Sequence, residues 1–87
     1  DDLVTSTHRG HGHLLAKGAA ADRTLAEFAG RAAGYCGGKG GSQHTAVPEI
    51  GHFGSNGITG GGLPIAAGLA LAQQLRGTGR VVVAYLG

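Results

Sequence analysis

The residues best suited to chemistry lie close together near the start of the chain, where positions 7–13 read THRGHGH. Histidine side chains can bind a metal ion, relay protons or donate hydrogen bonds. An arginine can hold an oxyanion through its fork of N–H donors. The segment is therefore a metal site, a nucleic-acid contact or one wall of a cofactor pocket, and the rest of the sequence has to discriminate among these.

A metal site is poorly supported by the residues nearby. The spacing H-x-x-H-x-H places His11 and His13 on one face of a strand, or His8 and His11 close together on a helix. No cysteine lies nearby, and no Asp or Glu falls between Asp2 and Asp22 to complete a coordination shell. A histidine-based metal-binding module stays open as an alternative, as do loop histidines that simply bond to the backbone.

Composition excludes several classes of protein. The net charge is only +2, no run of Lys or Arg occurs, and the two Tyr and two Phe are not interleaved with basic residues, which argues against a nucleic-acid surface. No signal peptide or long apolar span indicates membrane association. The single cysteine, Cys36, agrees with a reducing compartment. With 19 glycines among 87 residues, the chain has few bulky side chains to bury, so we expect part of a larger fold.

Hydrophobic periodicity divides the chain into a short series of elements. Apolar residues recur at helical spacing after Asp22, a plausible N-cap, and Gly34 is a suitable stop. Residues 63–76 are apolar nearly all round, which is typical of a buried helix, and the run at 80–86 is typical of a strand covered on both faces. The predicted order is a loop at 1–22, a helix at 23–33, an ordered glycine-rich active-site loop at 34–62, a buried helix at 63–76 and a strand at 80–86.

This order predicts an α/β fold with a parallel sheet flanked by helices, where ligands bind at the carboxyl edge of the strands. Known phosphate-binding motifs fit poorly. Lys39 is followed by Gly40 rather than by the Ser or Thr of a P-loop, and positions 10–12 lack the third glycine of a dinucleotide fingerprint. What remains is the glycine-rich stretch 57–62, whose backbone groups can either contact a ligand or pack tightly against other backbone.

Several short motifs occur in one order along residues 5–87. They are HRGHG at 8–12, AKG at 16–18, GKGGSQH at 38–44, GSNGITG at 54–60, LPIAAG at 63–68 and RVVVAYLG at 80–87. In this combination the sequence resembles the alpha subunit of the thiamine-diphosphate-dependent 2-oxo-acid dehydrogenases, such as those of the pyruvate and acetoin dehydrogenase complexes. The resemblance implies a thiamine-diphosphate-binding fold, which is incomplete in this chain.

The resemblance also implies roles for five residues. An aromatic–arginine pair contacts the cofactor diphosphate in that family, so His8 and Arg9 are implied contacts, with His8 in place of the usual tyrosine. His11 matches a histidine near the reaction centre and is the implied catalytic residue. Gly57 and Thr59 lie in the loop that offers backbone groups to the aminopyrimidine ring, with Thr59 where valine or leucine is common.

Cofactors and partners follow from the same resemblance. It implies thiamine diphosphate and Mg²⁺, with the metal ligands expected beyond residue 87. It implies a beta subunit in an alpha2beta2 heterotetramer, which supplies a proton-relaying glutamate, and a lipoyl-bearing acyltransferase. The implied substrate is a small 2-oxo acid or acetoin, in the bacterial cytoplasm or the mitochondrial matrix. A thiamine-dependent carboligase without a lipoyl partner remains an alternative to the dehydrogenase.

Overall fold

The computed structural model describes residues 1–87 and contains a three-stranded parallel sheet flanked by helices, which confirms the predicted α/β class. The strand order is β2-β1-β3, so β1 is central. The elements in chain order are β1 (Leu3–Thr7), α1 (His11–Ala16), α2 (Ala21–Phe28), a 3-10 turn (Pro48–Ile50), β2 (His52–Asn56), α3 (Gly62–Arg76) and β3 (Val82–Ala84).

The parallel pairing brings the ends of all three strands to one edge of the sheet. β1 pairs with β2 from Val4 opposite His52 to Thr7 opposite Asn56, and with β3 along its first three residues. The residues that follow Thr7, Asn56 and Ala84 therefore meet at one side, which we call the carboxyl edge. No helix in the structure combines the length and apolar character needed to cross a membrane.

The loop predicted at 1–22 is wrong, because this stretch contains β1 and α1. The strand reads LVTST, and its hydroxyl-bearing residues Thr5 and Ser6 are as buried as its apolar ones. A central strand is covered on both faces, so its burial does not produce the alternation of polar and apolar residues that marks a half-exposed strand. Helix α1 begins at His11, inside the glycine-spaced histidine segment.

Helix α2 covers Ala21–Phe28 rather than the predicted 23–33. Asp22 lies in its first turn and is not the N-cap. The helix ends early because Gly30 adopts a φ of 68°, which lets the following backbone amides bond back onto the last helical turn. The stop is therefore Gly30 and not Gly34.

The last three elements differ from expectation mainly in what they bury. The loop predicted at 34–62 contains β2, an edge strand with little apolar character. α3 and β3 lie close to the predicted ranges, but only Ala66 and Gln73 of α3 are buried, and Val83 of β3 is exposed. The prediction that α3 is buried on all sides and that β3 is covered on both faces is therefore wrong. In this chain α3 is covered only where it contacts the sheet.

The glycine-rich segment between α2 and β2 is folded around one buried carboxylate. Glu27 is 0% exposed, and its oxygens accept hydrogen bonds from the backbone N–H groups of Cys36, Gly38, Gly40 and Gly41 at 2.7–3.1 Å. Burial alone raises the pKa of Glu27, but the four donors outweigh it and hold the pKa below the ordinary 4.5. The carboxylate is therefore charged at neutral pH. Its four hydrogen bonds hold in place a segment that has almost no regular secondary structure.

A second buried polar group lies at the start of β2. His52 is 0% exposed, and neither of its ring nitrogens has a hydrogen-bond partner. Burial lowers the pKa of His52 below the ordinary 6.5. A contact between the imidazole and its own backbone raises the pKa slightly, although it does not reach hydrogen-bond geometry. The charges of His13 and Lys17 lower the pKa further. The folded protein therefore keeps His52 neutral.

Gly37 and Gly38 provide a matched test of the packing around Glu27. Both have a positive φ, but a Cβ on Gly38 would collide with the backbone of Gly30 and Arg31, whereas a Cβ on Gly37 meets nothing within 4 Å. We expect Gly37→Ala to cost about 1 kcal/mol through backbone strain, and Gly38→Ala to cost about 3 kcal/mol or more, because overpacking adds to the strain. Chemical denaturation measures both, and equal losses would contradict the close backbone approach.

His52 predicts a specific loss of stability in mild acid. Above pH 6.5, the ordinary pKa of the unfolded state, the imidazole is neutral in both states. Below it the unfolded chain binds a proton that the folded chain refuses, so the free energy of unfolding falls until the pH reaches the lower folded pKa. Denaturation midpoints between about pH 7 and 5 should depend less on pH in His52→Leu than in the wild type. Parallel slopes in wild type and His52→Leu would contradict this.

Candidate functional site

A small crevice opens at the carboxyl edge, between the segments that follow the three strands. Two of the residues predicted to bind a cofactor, His8 and Thr59, line it. No Asp or Glu contributes to its wall, so nothing there opposes a bound anion. The other lining residues are Ser6, Thr7, Asn56, Ile58, Gly60, Gly62, Tyr85, Leu86 and Gly87.

The two remaining predicted contacts lie directly beside this crevice. Arg9 follows His8, its backbone N–H donates to Thr7 Oγ1 at 3.2 Å, and its side chain is exposed. Gly57 follows β2, where Asn56 Oδ1 accepts a hydrogen bond from the Ile58 N–H at 2.8 Å and shapes the turn. The structure thus brings His8, Arg9, Gly57 and Thr59 to one edge of the sheet, although only His8 and Thr59 form the crevice wall.

The start of α3 adds to the electrostatics of the same place. Gly62 lines the crevice and is the first residue of this 15-residue helix. The helix has no side-chain cap and no acidic residue in its first turn. The Leu63 N–H donates to the Gly60 oxygen at 3.1 Å and Pro64 has no N–H, so the helix start contributes its partial positive charge rather than a set of free donors. Together with the cationic Arg9, this positive charge favours an anion such as a phosphate group.

His11, the predicted catalytic residue, does not line the crevice. It begins α1, and its Nε2 lies 2.8 Å from the backbone oxygen of Ser42. Its ring also packs edge-to-face with the ring of Phe28, with the centroids 4.9 Å apart. Because a carbonyl oxygen can only accept, Nε2 must carry the proton of this hydrogen bond. The loop held by Glu27 therefore fixes the orientation of His11.

His44 lies against the other predicted segment and was missed as a site residue. A Cβ on Gly57 would lie 3.3 Å from His44 Cε1, so the bare backbone at 57 is what admits the imidazole. Ser55 of β2 donates to the oxygen of Thr45 through both its backbone N–H, at 3.0 Å, and its hydroxyl, at 3.2 Å. The motif GGSQH was the only sequence signal for this placement.

His13 was considered only as a metal ligand, and the structure gives it a different role. Its Nδ1 lies 2.8 Å from Ser6 Oγ, and its ring stacks on Tyr85 at 3.7 Å and 12°. This contact joins α1, β1 and the segment after β3 beside the crevice. No periodicity or spacing in the sequence predicts such a stack, because it depends on how the strands are ordered in space.

The histidine-based metal-binding module is contradicted by the structure. His8 lines the crevice, His11 bonds to the Ser42 carbonyl and His13 stacks on Tyr85, so the three imidazoles serve different neighbours. No group of three or more His, Cys, Asp or Glu side chains is arranged to hold a metal ion. The H-x-x-H-x-H spacing failed as a signal because α1 starts within it.

Comparison with known proteins gives one consistent family. The family model described as "Dehydrogenase E1 component" matches residues 1–87. The alpha subunit of acetoin:2,6-dichlorophenolindophenol oxidoreductase from Bacillus subtilis is 50% identical over 86 residues, which are 99% of this chain and 26% of that protein. The pyruvate dehydrogenase E1 component subunit alpha from Zymomonas mobilis is 45% identical over 86 residues, which are 99% of this chain and 24% of that protein.

A mitochondrial relative shows the same pattern over a shorter stretch. The pyruvate dehydrogenase E1 component subunit alpha from Kluyveromyces lactis is 45% identical over 75 residues, which are 86% of this chain and 18% of that protein. The chain thus spans about a quarter or less of the length of these curated relatives. Because the family model matches from the first residue to the last, the chain belongs to the dehydrogenase E1 component family.

Proposed function

We propose that this chain is part of the alpha subunit of a thiamine-diphosphate-dependent dehydrogenase that acts on a 2-oxo acid or on acetoin. The observation that carries the proposal is the meeting of His8, Arg9, Gly57 and Thr59 at one sheet edge, beside a crevice without carboxylates. Membership of the family and the names of the relatives, which are pyruvate and acetoin enzymes, support the same reading.

The residues at this edge suit the chemistry of the two ends of thiamine diphosphate. His8 and Arg9 would hold the diphosphate, since both donate N–H groups and the start of α3 adds positive charge. The backbone at Gly57 and Thr59 would face the aminopyrimidine ring, since both residues are exposed at the carboxyl edge. The Mg²⁺ that accompanies the cofactor would take its ligands from beyond residue 87.

When bound, thiamine diphosphate supplies a carbon nucleophile for the carbonyl carbon of the substrate and an electron sink for breaking the adjacent C–C bond. This chain would bind and orient that group and hold a proton near the reacting atoms. We propose His11 for this role, as the resemblance implies: it lies at the start of α1 outside the crevice wall, its Nε2–H is donated to the Ser42 carbonyl, and its Nδ1 is left to exchange a proton. An imidazole is suited to this role because one ring nitrogen can accept a proton while the other donates one.

The alpha-subunit names of the relatives support a beta subunit as partner, and we propose the other partners from the family resemblance alone. A beta subunit would complete an alpha2beta2 assembly and supply a glutamate that relays a proton to the cofactor. The acyl group would pass to the lipoyl arm of an acyltransferase. The compartment would be the bacterial cytoplasm, or the mitochondrial matrix for a eukaryotic source, as relatives of both kinds are known.

Calorimetry on the full-length subunit, assembled with its partner, tests the proposal. Titration with thiamine diphosphate in the presence of Mg²⁺ should show one saturable site per alpha subunit. Adding a lipoyl-bearing acceptor to the loaded enzyme with pyruvate or acetoin should then give acyl-lipoyl product. Absence of cofactor binding would contradict the proposal, whereas binding without acyl transfer would favour the carboligase.

Arg9→Ala should weaken thiamine diphosphate binding by about 1.5–3 kcal/mol, which is roughly tenfold to 150-fold in Kd, because a charge-assisted hydrogen bond is lost. Arg31→Ala is the matched control, since Arg31 is an exposed arginine just beyond α2 and outside the crevice wall. The same calorimetric titration measures both variants. Equal affinities for Arg9→Ala and the wild type would remove Arg9 from the site.

A further inference from the structure

We propose that Glu27 is a positioning residue for His11, and that it acts through the Ser42 peptide to hold the His11 imidazole in its Nε2–H form. Glu27 does not line the crevice and touches neither His11 nor the predicted cofactor contacts through any hydrogen bond. Its effect on chemistry would rest on the proposed function, but its effect on the His11 tautomer would not.

The first link is a tight turn whose position the carboxylate sets. Glu27 Oε1 accepts from the N–H of Gly40 at 2.7 Å and of Gly41 at 3.1 Å, directly before Ser42. On the other side of Ser42 the turn is closed, because the His44 N–H donates to the Gly40 oxygen at 3.2 Å and the Thr45 hydroxyl donates to the Gly41 oxygen at 3.0 Å. Ser42 therefore sits at the tip of a turn held on both sides.

The second link runs from that turn to the imidazole. The Ser42 oxygen lies 2.8 Å from His11 Nε2, and a carbonyl has no proton to give, so the neutral ring must be protonated at Nε2. The ring of Phe28, one residue after Glu27, packs edge-to-face with the imidazole. Nδ1 is then the nitrogen left to accept a proton from a reacting group.

A charged carboxylate is required for this arrangement, because all four partners are N–H donors. A glutamine at position 27 has the same shape, but its NH₂ group must face one of the two donor pairs, either Gly40 and Gly41 or Cys36 and Gly38, and the repulsion between donors displaces the side chain in both cases. The turn would shift, the Ser42 carbonyl would leave His11, and neutral His11 would then populate both tautomers. Glu49 is a matched control, since it is an exposed carboxylate on the 3-10 turn of the same segment.

Nitrogen NMR of ¹⁵N-histidine-labelled full-length subunit, assembled with its partner, reads the tautomer directly. His11→Gln identifies the His11 signals by their loss. We expect wild type and Glu49→Gln to show His11 protonated only at Nε2 when neutral, and Glu27→Gln to show a mixture of tautomers. A pure Nε2–H signal in Glu27→Gln would overturn the proposal. This measurement needs no cofactor, so it stands even if the chain binds no thiamine diphosphate.

Kinetics separate positioning from general damage to the fold. In Glu27→Gln we expect kcat to fall by about tenfold to a hundredfold, the scale of a misplaced catalytic group, while the Kd for thiamine diphosphate from calorimetry changes by less than about threefold. Glu49→Gln should leave both unchanged. Equal losses in kcat and cofactor affinity would mark Glu27 as merely structural and would overturn the proposal.

Gly41→Ala keeps the test available if Glu27→Gln does not assemble. Gly41 has a φ of 62°, and a Cβ there meets nothing within 4 Å, so the substitution strains the turn next to Ser42 without a collision. We expect it to fold and to show the same tautomer mixture in smaller proportion. A folded Gly41→Ala with His11 protonated only at Nε2 would show that the turn does not control the imidazole.

Discussion

The carboxylate of Glu27 accepts four backbone hydrogen bonds from a segment that has few apolar side chains and almost no regular secondary structure. Such a segment cannot hold its position through burial of side chains alone. A buried charge is costly unless it is fully hydrogen-bonded, and here its donors are peptide groups that would otherwise lack partners. The charge and the segment therefore stabilise each other. Without the carboxylate the N–H groups lack acceptors, and without the segment the buried carboxylate lacks donors.

The segment held by Glu27 contacts the carboxyl edge of the sheet in two places. In one, the Ser42 carbonyl accepts a hydrogen bond from His11 on α1, and in the other, His44 lies against the backbone at Gly57 after β2. The sheet itself contributes the third constraint, since parallel pairing places the ends of three strands side by side. His8 and bare peptide groups thus line one crevice whose wall has no negative charge, with Arg9 directly beside it.

The features of the fold that could be predicted are those set by residues close together in sequence. The features that could not be predicted depend on contacts between distant parts of the chain. Periodicity along the chain predicts the α/β class, α3 and the run that contains β3. The α/β order in turn predicts that a ligand binds at the carboxyl edge of the strands. β1 could not be recognised, because its buried threonine and serine look like a loop when the two covering layers are unknown. The end of α2 at Gly30 rather than Gly34 depended on which of two glycines takes the left-handed conformation.

The importance of Glu27 was equally invisible in the sequence. A glutamate in an amphipathic helix ordinarily faces solvent, and no spacing rule marks one that is buried. One physical clue was available in retrospect: a glycine-rich segment that lacks strands and helices still needs partners for its N–H groups. Glu27, the second of the two carboxylates in α2 and the one closer to that segment, was the nearest acceptor able to serve several of them.

Hydrogen-exchange mass spectrometry of the full-length subunit in its assembly tests the central claim most directly, with and without thiamine diphosphate and Mg²⁺. The account predicts that the cofactor protects two separate segments together, one around His8 and Arg9 and one from Gly57 to Gly62. Both segments lie at the same edge of the sheet, so one ligand should slow the exchange of both at the same concentration. Protection of only one segment, or of neither, would contradict the account.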